Sequence, residues 1–360
     1  MRKRNSLHRL TALLFTLTLL CSLSFRTHAQ ANDSPLTSQE IVRLVYQLPK
    51  NPGLRDEVVA EIRKRGIGFP LTDGLLRVVA TKSGTDALLR RTLEEAERRR
   101  VNPSAATLPP EAEARELLER TRTVTLAAAE AMPDFIVREL VTRSTAVGKT
   151  QNWRVLDHLS FSVGYRANAG EEYKLLAVNG QPPAEGFSTP EQIGGSISAG
   201  EFVTMLARVF APESQTSFRA IDTDTLRNRR TIVYEYSVTK QLAPISIRYG
   251  NRSTMTASRG RVWVDRETNR VLRLEAITVD VPPDFPISEV NWLVDYDWVT
   301  IAERQYLLPV QSDVVSTYNL SERVYQDRNE IRFRHYQKFG SEVKIIEDDD
   351  FEEEPPAKKP

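Results

Sequence analysis

Two pairs of aspartates have the spacing that best suits acid–base chemistry, Asp222 with Asp224 and Asp295 with Asp297. Residues two apart on a β-strand point to the same face, so the members of each pair would lie side by side and raise each other's pKa. Three aromatic residues surround the second pair, Trp292, Tyr296 and Trp298. Two carboxylates beside such aromatic platforms are typical of a glycoside hydrolase. The alternative, which we favour, is that Asp295 and Asp297 form the solvent side of a strand.

Other catalytic arrangements are weak in this sequence. A serine hydrolase needs a nucleophile, a base and an oxyanion site, but the glycine-rich segment 194–198 lies before a predicted helix rather than after a strand. The histidines beyond residue 31 are His158 and His335, which lie in strand-like segments and are expected to be structural. Zinc would need three or four ligands at short spacing, and none is visible. We therefore predict no enzyme activity, no cofactor and no metal site.

The first 31 residues have the pattern of a secretory signal peptide. A basic start, an apolar run over residues 11–25 and the small-residue site Ala29-Gln30-Ala31 follow one another. The apolar run is short for a membrane span, which needs about 20 residues. We therefore expect an exported protein, in the periplasm of a Gram-negative bacterium or secreted. The only cysteine, Cys21, would leave with the signal, so no disulfide is expected.

Charge argues against nucleic acid as a partner. The whole chain has a net charge of +1, and residues 1–31 contain five basic and no acidic residues, so the exported part would carry −4. A mildly acidic protein without a basic cluster is a poor nucleic-acid binder. Residues 341–360 are acidic, end in prolines and lack apolar content. We expect them to be a disordered tail.

Residues 36–100 are predicted to form a small bundle of helical hairpins. Thr37 and Glu40 make a capping box, and each half of the segment is a short helix, a break and a longer helix that ends in charges. The segment resembles helical modules at the front of exported bacterial proteins, which bind partners; the alternative is that it only packs on the rest of the chain. The basic run 98–100 is expected to be a solvated helix end. Residues 101–110, with three prolines, form a linker.

Strand patterns dominate from residue 135 onwards. Apolar and polar residues alternate in about ten segments that mostly follow one another as hairpins, which predicts one large antiparallel sheet curled into a barrel or half-barrel. The clearest hairpin is residues 260–280, which has a polar turn at 266–270. Asp265 is suited to bond the turn backbone, and Asn269 tolerates positive φ.

Two helices are available to cover the apolar face of this sheet, residues 110–132 and 201–210. A sheet with one apolar face must bury it, so we expect these helices to plug the concave side. Four hairpin residues should face them: Val262, Val264, Leu272 and Leu274. Four others should lie outside: Arg261, Trp263, Arg273 and Glu275. The predicted fold is α+β, with a helical module at 36–100 and a half-barrel domain at 111–340.

A family resemblance follows from these elements. A long helix leads into a strand at 110–141, another strand ends in Asn179-Gly180, a helix is inserted mid-sheet, and residues 260–274 read Gly-x-Val-Trp-Val-Asp-x-x-Thr-x-x-Val-Leu-Arg-Leu. Over residues 110–338 the chain resembles the outer-membrane lipoprotein carriers and their LolA-like relatives. The resemblance implies an unclosed barrel with a helical lid, whose apolar cavity holds acyl chains of lipids or lipoproteins in the periplasm. The longer sheet region and the preceding helices depart from the carriers, so we interpret the chain as a distant relative.

The candidates for lining such a cavity are large apolar side chains near the sheet and its helices: Phe161, Tyr165, Phe202, Met205, Phe210, Tyr234, Tyr236 and Trp263. A filled core would use the same residues, and pockets are few per protein. Our first functional hypothesis is an exported, non-catalytic protein that binds an apolar or acyl-chain ligand. The second is a scaffold that binds a protein partner through the N-terminal helices, and the third is a glycan-active hydrolase that uses Asp295 and Asp297.

Overall fold

The structure, a computed structural model, describes residues 34–84, 86–103, 107–148, 150, 152–167, 169–183, 193, 202, 204–320 and 323–340. The predicted signal peptide, the acidic tail, the segment 194–198 and residue 201 lie outside the described residues. From Leu36 onwards the chain forms one compact unit.

The described residues contain six α-helices. They are α1 (Ser38–Val45), α2 (Arg55–Arg65), α3 (Asp73–Ser83), α4 (Ala87–Val101), α5 (Glu111–Glu130) and α6 (Thr204–Phe210). The predicted capping box begins α1, because the Glu40 amide donates to Thr37 Oγ1 at 3.2 Å and the Thr37 amide donates to Glu40 Oε2 at 2.8 Å. The first four helices share an apolar cluster that includes Ile41, Ile62 and Leu89. This helical module therefore has a core of its own.

Eleven strands form the sheet in the described part of the chain. They are β1 (Phe135–Val147), β2 (Arg154–Arg166), β3 (Gly170–Val178), β4 (Ser217–Leu226), β5 (Arg229–Val238), β6 (Ile245–Tyr249), β7 (Arg252–Asp265), β8 (Val271–Val279), β9 (Ile287–Ile301), β10 (Arg304–Leu320) and β11 (Arg323–Lys338). Their order is β3-β2-β1-β11-β10-β9-β8-β7-β5-β4, and β6 pairs with β7 off this path. β3 and β4 are the two ends of an open sheet. The predicted α+β fold, a large antiparallel half-barrel with helices against it, is confirmed.

The face of the sheet that contacts α5 and α6, which we call the inner face, holds the apolar core. Val262, Val264 and Leu274 pack with Leu117 of α5 and Val209 of α6 in one buried cluster. The Tyr234 hydroxyl donates to the carbonyl of Ala114 on α5 at 2.6 Å. The two helices therefore cover the apolar side of the hairpin, as the alternation predicts.

The turn between β7 and β8 has the predicted geometry. The Glu267 amide donates to Asp265 Oδ1 at 3.2 Å, and Asn269 has φ 57°. The same turn binds α5, because Arg270 Nη1 donates to the carbonyl of Val124 at 2.7 Å. A further ion pair joins Arg266 to Glu113. The turn thus fixes the long helix against the sheet.

One hairpin residue faces the side opposite to the predicted one. The β7–β8 pairing shifts register between Trp263 and Val264, so Val264 pairs with Val271 and Trp263 pairs with Arg273. Leu272 is the extra residue of this bulge and packs beside Trp263, away from α5 and α6. Val271 takes the inner position instead. Strict alternation does not anticipate this change because a bulge places one additional residue in the strand.

The opposite face of the sheet, which we call the outer face, is partly covered by helices α2 and α4. Trp263 is fully buried there, and Arg261 is 7% exposed. Arg261 Nη1 lies 3.5 Å from Glu95 of α4, and Arg63 of α2 lies 3.6 Å from Glu275. The four residues expected outside do share this face, but α2 and α4 lie against it. The helical module therefore packs on the sheet through charged side chains.

Candidate functional site

The first aspartate pair anchors α4 to the edge of the sheet. Asp224 accepts from Arg98 at 2.7 and 3.0 Å and from Trp263 Nε1 at 3.0 Å. Asp222 accepts from Arg99 Nη1 at 2.5 Å. The prediction that this basic run is a solvated helix end is wrong for Arg98 and Arg99, because the two aspartates complement them. These carboxylates serve as structural counter-ions.

The second aspartate pair is also held by arginines. Asp295 accepts from Arg273 through both oxygens, at 2.7 and 2.9 Å, and is 9% exposed. Arg227 lies 3.6 Å from Asp295 and 3.5 Å from Asp297. The two carboxylates share the outer face, as the spacing predicts, but guanidinium groups occupy them. A bidentate arginine–carboxylate contact is typical of a structural ion pair, and Asp295 has this geometry.

The eight predicted cavity residues lie in three different places. Phe161 and Phe202 lie in one inner-face cluster with Tyr165 packed against it. Another inner-face cluster contains the following four: Met205, Phe210, Tyr234 and Tyr236. Trp263 lies apart from them on the outer face. The structure therefore groups seven of the eight on the inner face and separates Trp263.

The inner face is closely packed around these seven residues. Phe202 meets Phe333 and Phe135 with ring centroids 5.0 and 5.5 Å apart. Phe210 stacks on Phe218 at 5.2 Å. A cleft of about 40 Å³ lies under α5 and α6, beside Ala128, Leu206 and Leu307. Binding pockets usually have about 300–1,000 Å³, so the described part of this face forms a core rather than a ligand cavity.

A much larger cavity lies on the outer face, between the sheet and helices α2 and α4. We call it the outer-face cavity; its volume is about 1000 Å³. Apolar residues form part of its lining: Val59, Leu88, Trp153, Ile277, Leu293 and Val315. Seven arginines also line it: Arg55, Arg63, Arg91, Arg219, Arg259, Arg261 and Arg328. Six acidic residues complete the charged part of the lining: Asp56, Asp86, Glu235, Glu275, Glu289 and Asp313. Arg219 and Arg259 are exposed, so the cavity opens to solvent on their side.

Two carboxylates of the sheet are each shared by two arginines in this cavity. Glu275 Oε2 lies 2.9 Å from Arg261 Nε and 3.6 Å from Arg63 Nη2. Asp313 accepts from Arg328 through both oxygens at 2.9 Å, and Arg91 Nη1 lies 3.7 Å away. In both groups the arginine of the sheet makes the hydrogen bonds. The arginine of the helix has only the longer contact.

The crowding of positive charge shifts the pKa of two groups in this site. Burial, followed by the charge of Arg261, lowers the pKa of Arg63 below its ordinary value. Burial alone would raise the pKa of Glu275, but the guanidinium groups of Arg261 and Arg63 outweigh it and lower that pKa to about 2. Glu275 is therefore a carboxylate at neutral pH. The site has fixed charges of both signs.

The cavity residues on the helices were not anticipated from the sequence, although their spacing contained a signal. Residues four apart on a helix share a face. Arg55, Val59 and Arg63 follow this spacing on α2, as do Arg91 and Glu95 on α4. Charged residues at helical spacing usually face solvent, so this pattern alone does not indicate a cavity.

Within the described residues, no group of three or more His, Cys, Asp or Glu side chains is arranged to hold a metal ion. None of the helices between residues 38 and 210 that the structure describes is long and apolar enough to cross a membrane.

Comparisons with known proteins find likenesses of structure only. No protein-family model matches the sequence, and no curated protein matches it either. A putative outer membrane lipoprotein-sorting protein domain from Vibrio parahaemolyticus is similar, with 12% identity and a TM-score of 0.35 over 64% of this chain and 95% of that one. A DUF1329 family protein from Desulfovibrio piger has 12% identity and a TM-score of 0.30 over 66% and 96%. The Pseudomonas aeruginosa MucA/MucB complex has 9% identity and a TM-score of 0.18 over 61% and 98%.

The first of these structures is of the kind that residues 260–274 predicted. The likeness to the Vibrio parahaemolyticus domain agrees with the resemblance to lipoprotein carriers as a likeness of structure only. At these TM-scores the likeness carries no conclusion about what this chain binds or where it acts.

Proposed function

We propose that this chain is an exported, non-catalytic binding protein that holds an amphiphilic ligand in the outer-face cavity. The ligand would have an acyl chain or a similar apolar part and a charged end. The observation that carries the proposal is a cavity of about 1000 Å³ whose lining combines apolar side chains with arginines. This volume is at the upper end of the range for small-molecule sites, whereas the inner-face cleft has about 40 Å³.

The site of binding differs from the one that the sequence favoured. The family resemblance implies an acyl chain between the sheet and its plug helices, but α5 and α6 fill that space in the described residues. The proposed cavity lies on the other face and needs the helical module to close it. The helical module would then help to bind the small ligand. The sequence analysis considered two other roles for it, which were binding a protein partner and packing on the rest of the chain.

Native mass spectrometry of the protein purified from its own host tests this proposal. We expect a lipid-sized mass to co-purify and to leave on collisional activation, followed by identification of the lipid after extraction. Ala60 is an exposed residue of α2 that lines the cavity, so Ala60→Trp should reduce the bound fraction at least about 10-fold by filling the site.

Ala112→Trp is the matched control, because Ala112 is exposed on α5 and does not line the cavity. This variant should retain the ligand. A protein that carries no small molecule, or an Ala60→Trp variant that carries as much as the control, would contradict the proposal.

A second candidate is a partner-binding role for the helical module. Helices α2 and α4 contact the sheet, so a partner would use exposed residues elsewhere on the module. Tyr46, at the end of α1, is 53% exposed, and Lys82 Nζ of α3 lies 4.4 Å from its ring centre. A photo-crosslinking amino acid at position 46 in the host should then yield one reproducible adduct, and the same group at Val155 should not. Equal or absent adducts at both positions would argue against this role.

A further inference from the structure

In the outer-face cavity, the helix arginines Arg63 and Arg91 have fewer and more distant acidic partners than the sheet arginines Arg261 and Arg328. Arg261 has both Glu275, at 2.9 Å, and Glu95, at 3.5 Å. Arg328 has Asp313, at 2.9 Å, and Glu330, at 3.0 Å. Arg63 and Arg91 each approach one of the same acids, at 3.6 and 3.7 Å. Among the described residues, no other carboxylate lies within 4.0 Å of either.

Arg63 and Arg91 also have buried N–H groups that make no hydrogen bond among the described residues. Nε and Nη2 of Arg63 and Nε of Arg91 are buried without an acceptor among the described residues. Buried donors without acceptors are costly, and charged ones more so. An oxyanion that enters the cavity would provide acceptors and negative charge together. Arginine is suited to this task because its planar group presents several N–H donors to a carboxylate or phosphate.

The surrounding charges favour the same kind of ligand. Burial lowers the pKa of Arg63, and the positive charges of Arg261 and Arg91 lower it further. Glu275 does not relieve this by hydrogen bonding, because its Oε2 accepts from Arg261 and its Oε1 makes no hydrogen bond among the described residues. The helices therefore bring two positive groups to a cavity wall where Glu275 and Asp313 make their hydrogen bonds to the sheet arginines.

The geometry points to an oxyanion subsite at Arg63 and Arg91, which receives the carboxylate or phosphate end of the bound amphiphile. This inference rests on the proposed function, because it names the charged end of the ligand in the same cavity. The apolar part would extend along Val59, Leu88 and Leu293. The subsite is formed by α2 and α4 of the helical module together, and the sheet forms the opposite wall of the cavity.

Equilibrium binding of three probes with the same chain separates the charged end from the apolar part. The probes are oleic acid, oleyl phosphate and oleyl alcohol, each below its critical micelle concentration, with the delipidated full exported chain. We expect at least one of the two acids to bind about 10- to 100-fold tighter than the alcohol. The acid with the larger advantage identifies carboxylate or phosphate as the headgroup.

The Arg63→Gln/Arg91→Gln double variant should lose most of this preference and keep its affinity for the alcohol. The Arg63→Lys/Arg91→Lys variant should retain part of it through charge alone. Arg90→Gln/Arg115→Gln is the matched control, since Arg90 and Arg115 lie on helices with side chains 69% and 68% exposed. This control should behave as the unchanged protein.

The outcomes distinguish the subsite from the cavity. If the unchanged protein binds alcohol and acids equally, or if the double variant keeps the preference for acid, the subsite is wrong and the proposed function stands. If none of the three probes binds, the proposed function fails together with the subsite. Circular dichroism and thermal unfolding of each variant show whether a loss reflects misfolding, and unchanged alcohol binding provides a second check.

Discussion

Asp224 shows how one side chain links the sheet, a buried tryptophan and a helix. Its oxygens accept from Arg98 and from Trp263 Nε1, and its side chain is 4% exposed. Removing such a carboxylate leaves a buried indole N–H and a guanidinium without their acceptor. Because the cost of an uncompensated buried group exceeds the net value of a pair, Asp224 should be one of the most sensitive polar positions.

We expect Asp224→Ala to lower the free energy of unfolding by about 3–5 kcal/mol, as for other broken buried ion pairs. Chemical denaturation followed by tryptophan fluorescence measures this change, and Trp263 should also become more exposed. Glu235→Ala is the control: the Arg219–Glu235 pair has side chains 73% and 51% exposed, and its loss should cost at most about 1 kcal/mol. Similar losses for both variants would contradict the assigned role of Asp224.

At Gly260 the backbone of β7 lies very close to the backbone of β8. A Cβ atom at this position would lie 1.8 Å from the carbonyl oxygen of Glu275, which belongs to the backbone and cannot rotate away. Gly260→Ala should therefore destabilise the protein by roughly 3 kcal/mol or more, because the β7–β8 pairing must separate. Thermal or chemical unfolding measures the change.

Gly74→Ala is the comparison variant for Gly260. A Cβ at Gly74 on α3 would meet Thr72 Oγ1 at 3.8 Å, an ordinary contact. Because alanine is the better helix former, this change should stabilise the protein by about 0.5 kcal/mol. A Gly260→Ala protein as stable as Gly74→Ala would show that the two strands are not this close.

At the scale of the elements, α4 is the helix that joins the module to the sheet. Its last two turns bind β4 through Arg98 and Arg99, and Glu95 lies beside Arg261 of β7. Strand β4 continues to Leu226 and contains both aspartates of the first pair, so α4 supplies the partners of this polar part of the strand.

We expect Arg98→Ala/Arg99→Ala to loosen α4 and β4 while the inner face stays folded. Hydrogen exchange measured by mass spectrometry should accelerate at least about 10-fold in α4, which corresponds to roughly 1.4 kcal/mol of opening free energy. Arg90→Ala/Arg100→Ala removes two arginines that pair within the helix, with Glu94 and Glu97, and should change exchange little. Equal acceleration in both variants would indicate a general effect on helix stability.

At the scale of the whole molecule, the two faces of the sheet are stabilised by different forces. The inner face buries apolar surface against α5 and α6. The outer face joins the module through ion pairs, whose strength depends on the protonation of the acids. Stability of the module on the sheet should therefore depend on pH more than the inner core does.

Glu275 predicts the pH range of this dependence. Its pKa in the folded protein is about 2, below the ordinary value of 4.5, so its stabilising contribution is complete above pH 4.5 and is lost as pH falls towards 2. The free energy of unfolding should decrease over this range, and Glu275→Gln should make the decrease less steep. Denaturation curves at several pH values test this, and an unchanged slope in the variant would contradict it.

The sequence by itself determined the local structure of this protein. Alternation in the strands, the Thr37–Glu40 capping box and the Asp265–Asn269 turn depend on neighbouring residues, and all are present. The inner-face aromatics were also identified, since apolar periodicity marks a buried face.

Only the tertiary structure decided which charged residues face each other and where the cavity lies. Arg98 and Asp224 are 126 positions apart in the chain, and each alone has the pattern of a solvent-exposed residue. Complementary charges cover much of the outer face, so burial there has little hydrophobic signature beyond the small cluster around Trp263. The alternation of apolar and polar residues likewise does not predict the bulge at Leu272. The candidate site combines α2, α4 and the outer face, and long-range charge pairing rather than local propensity brings them together.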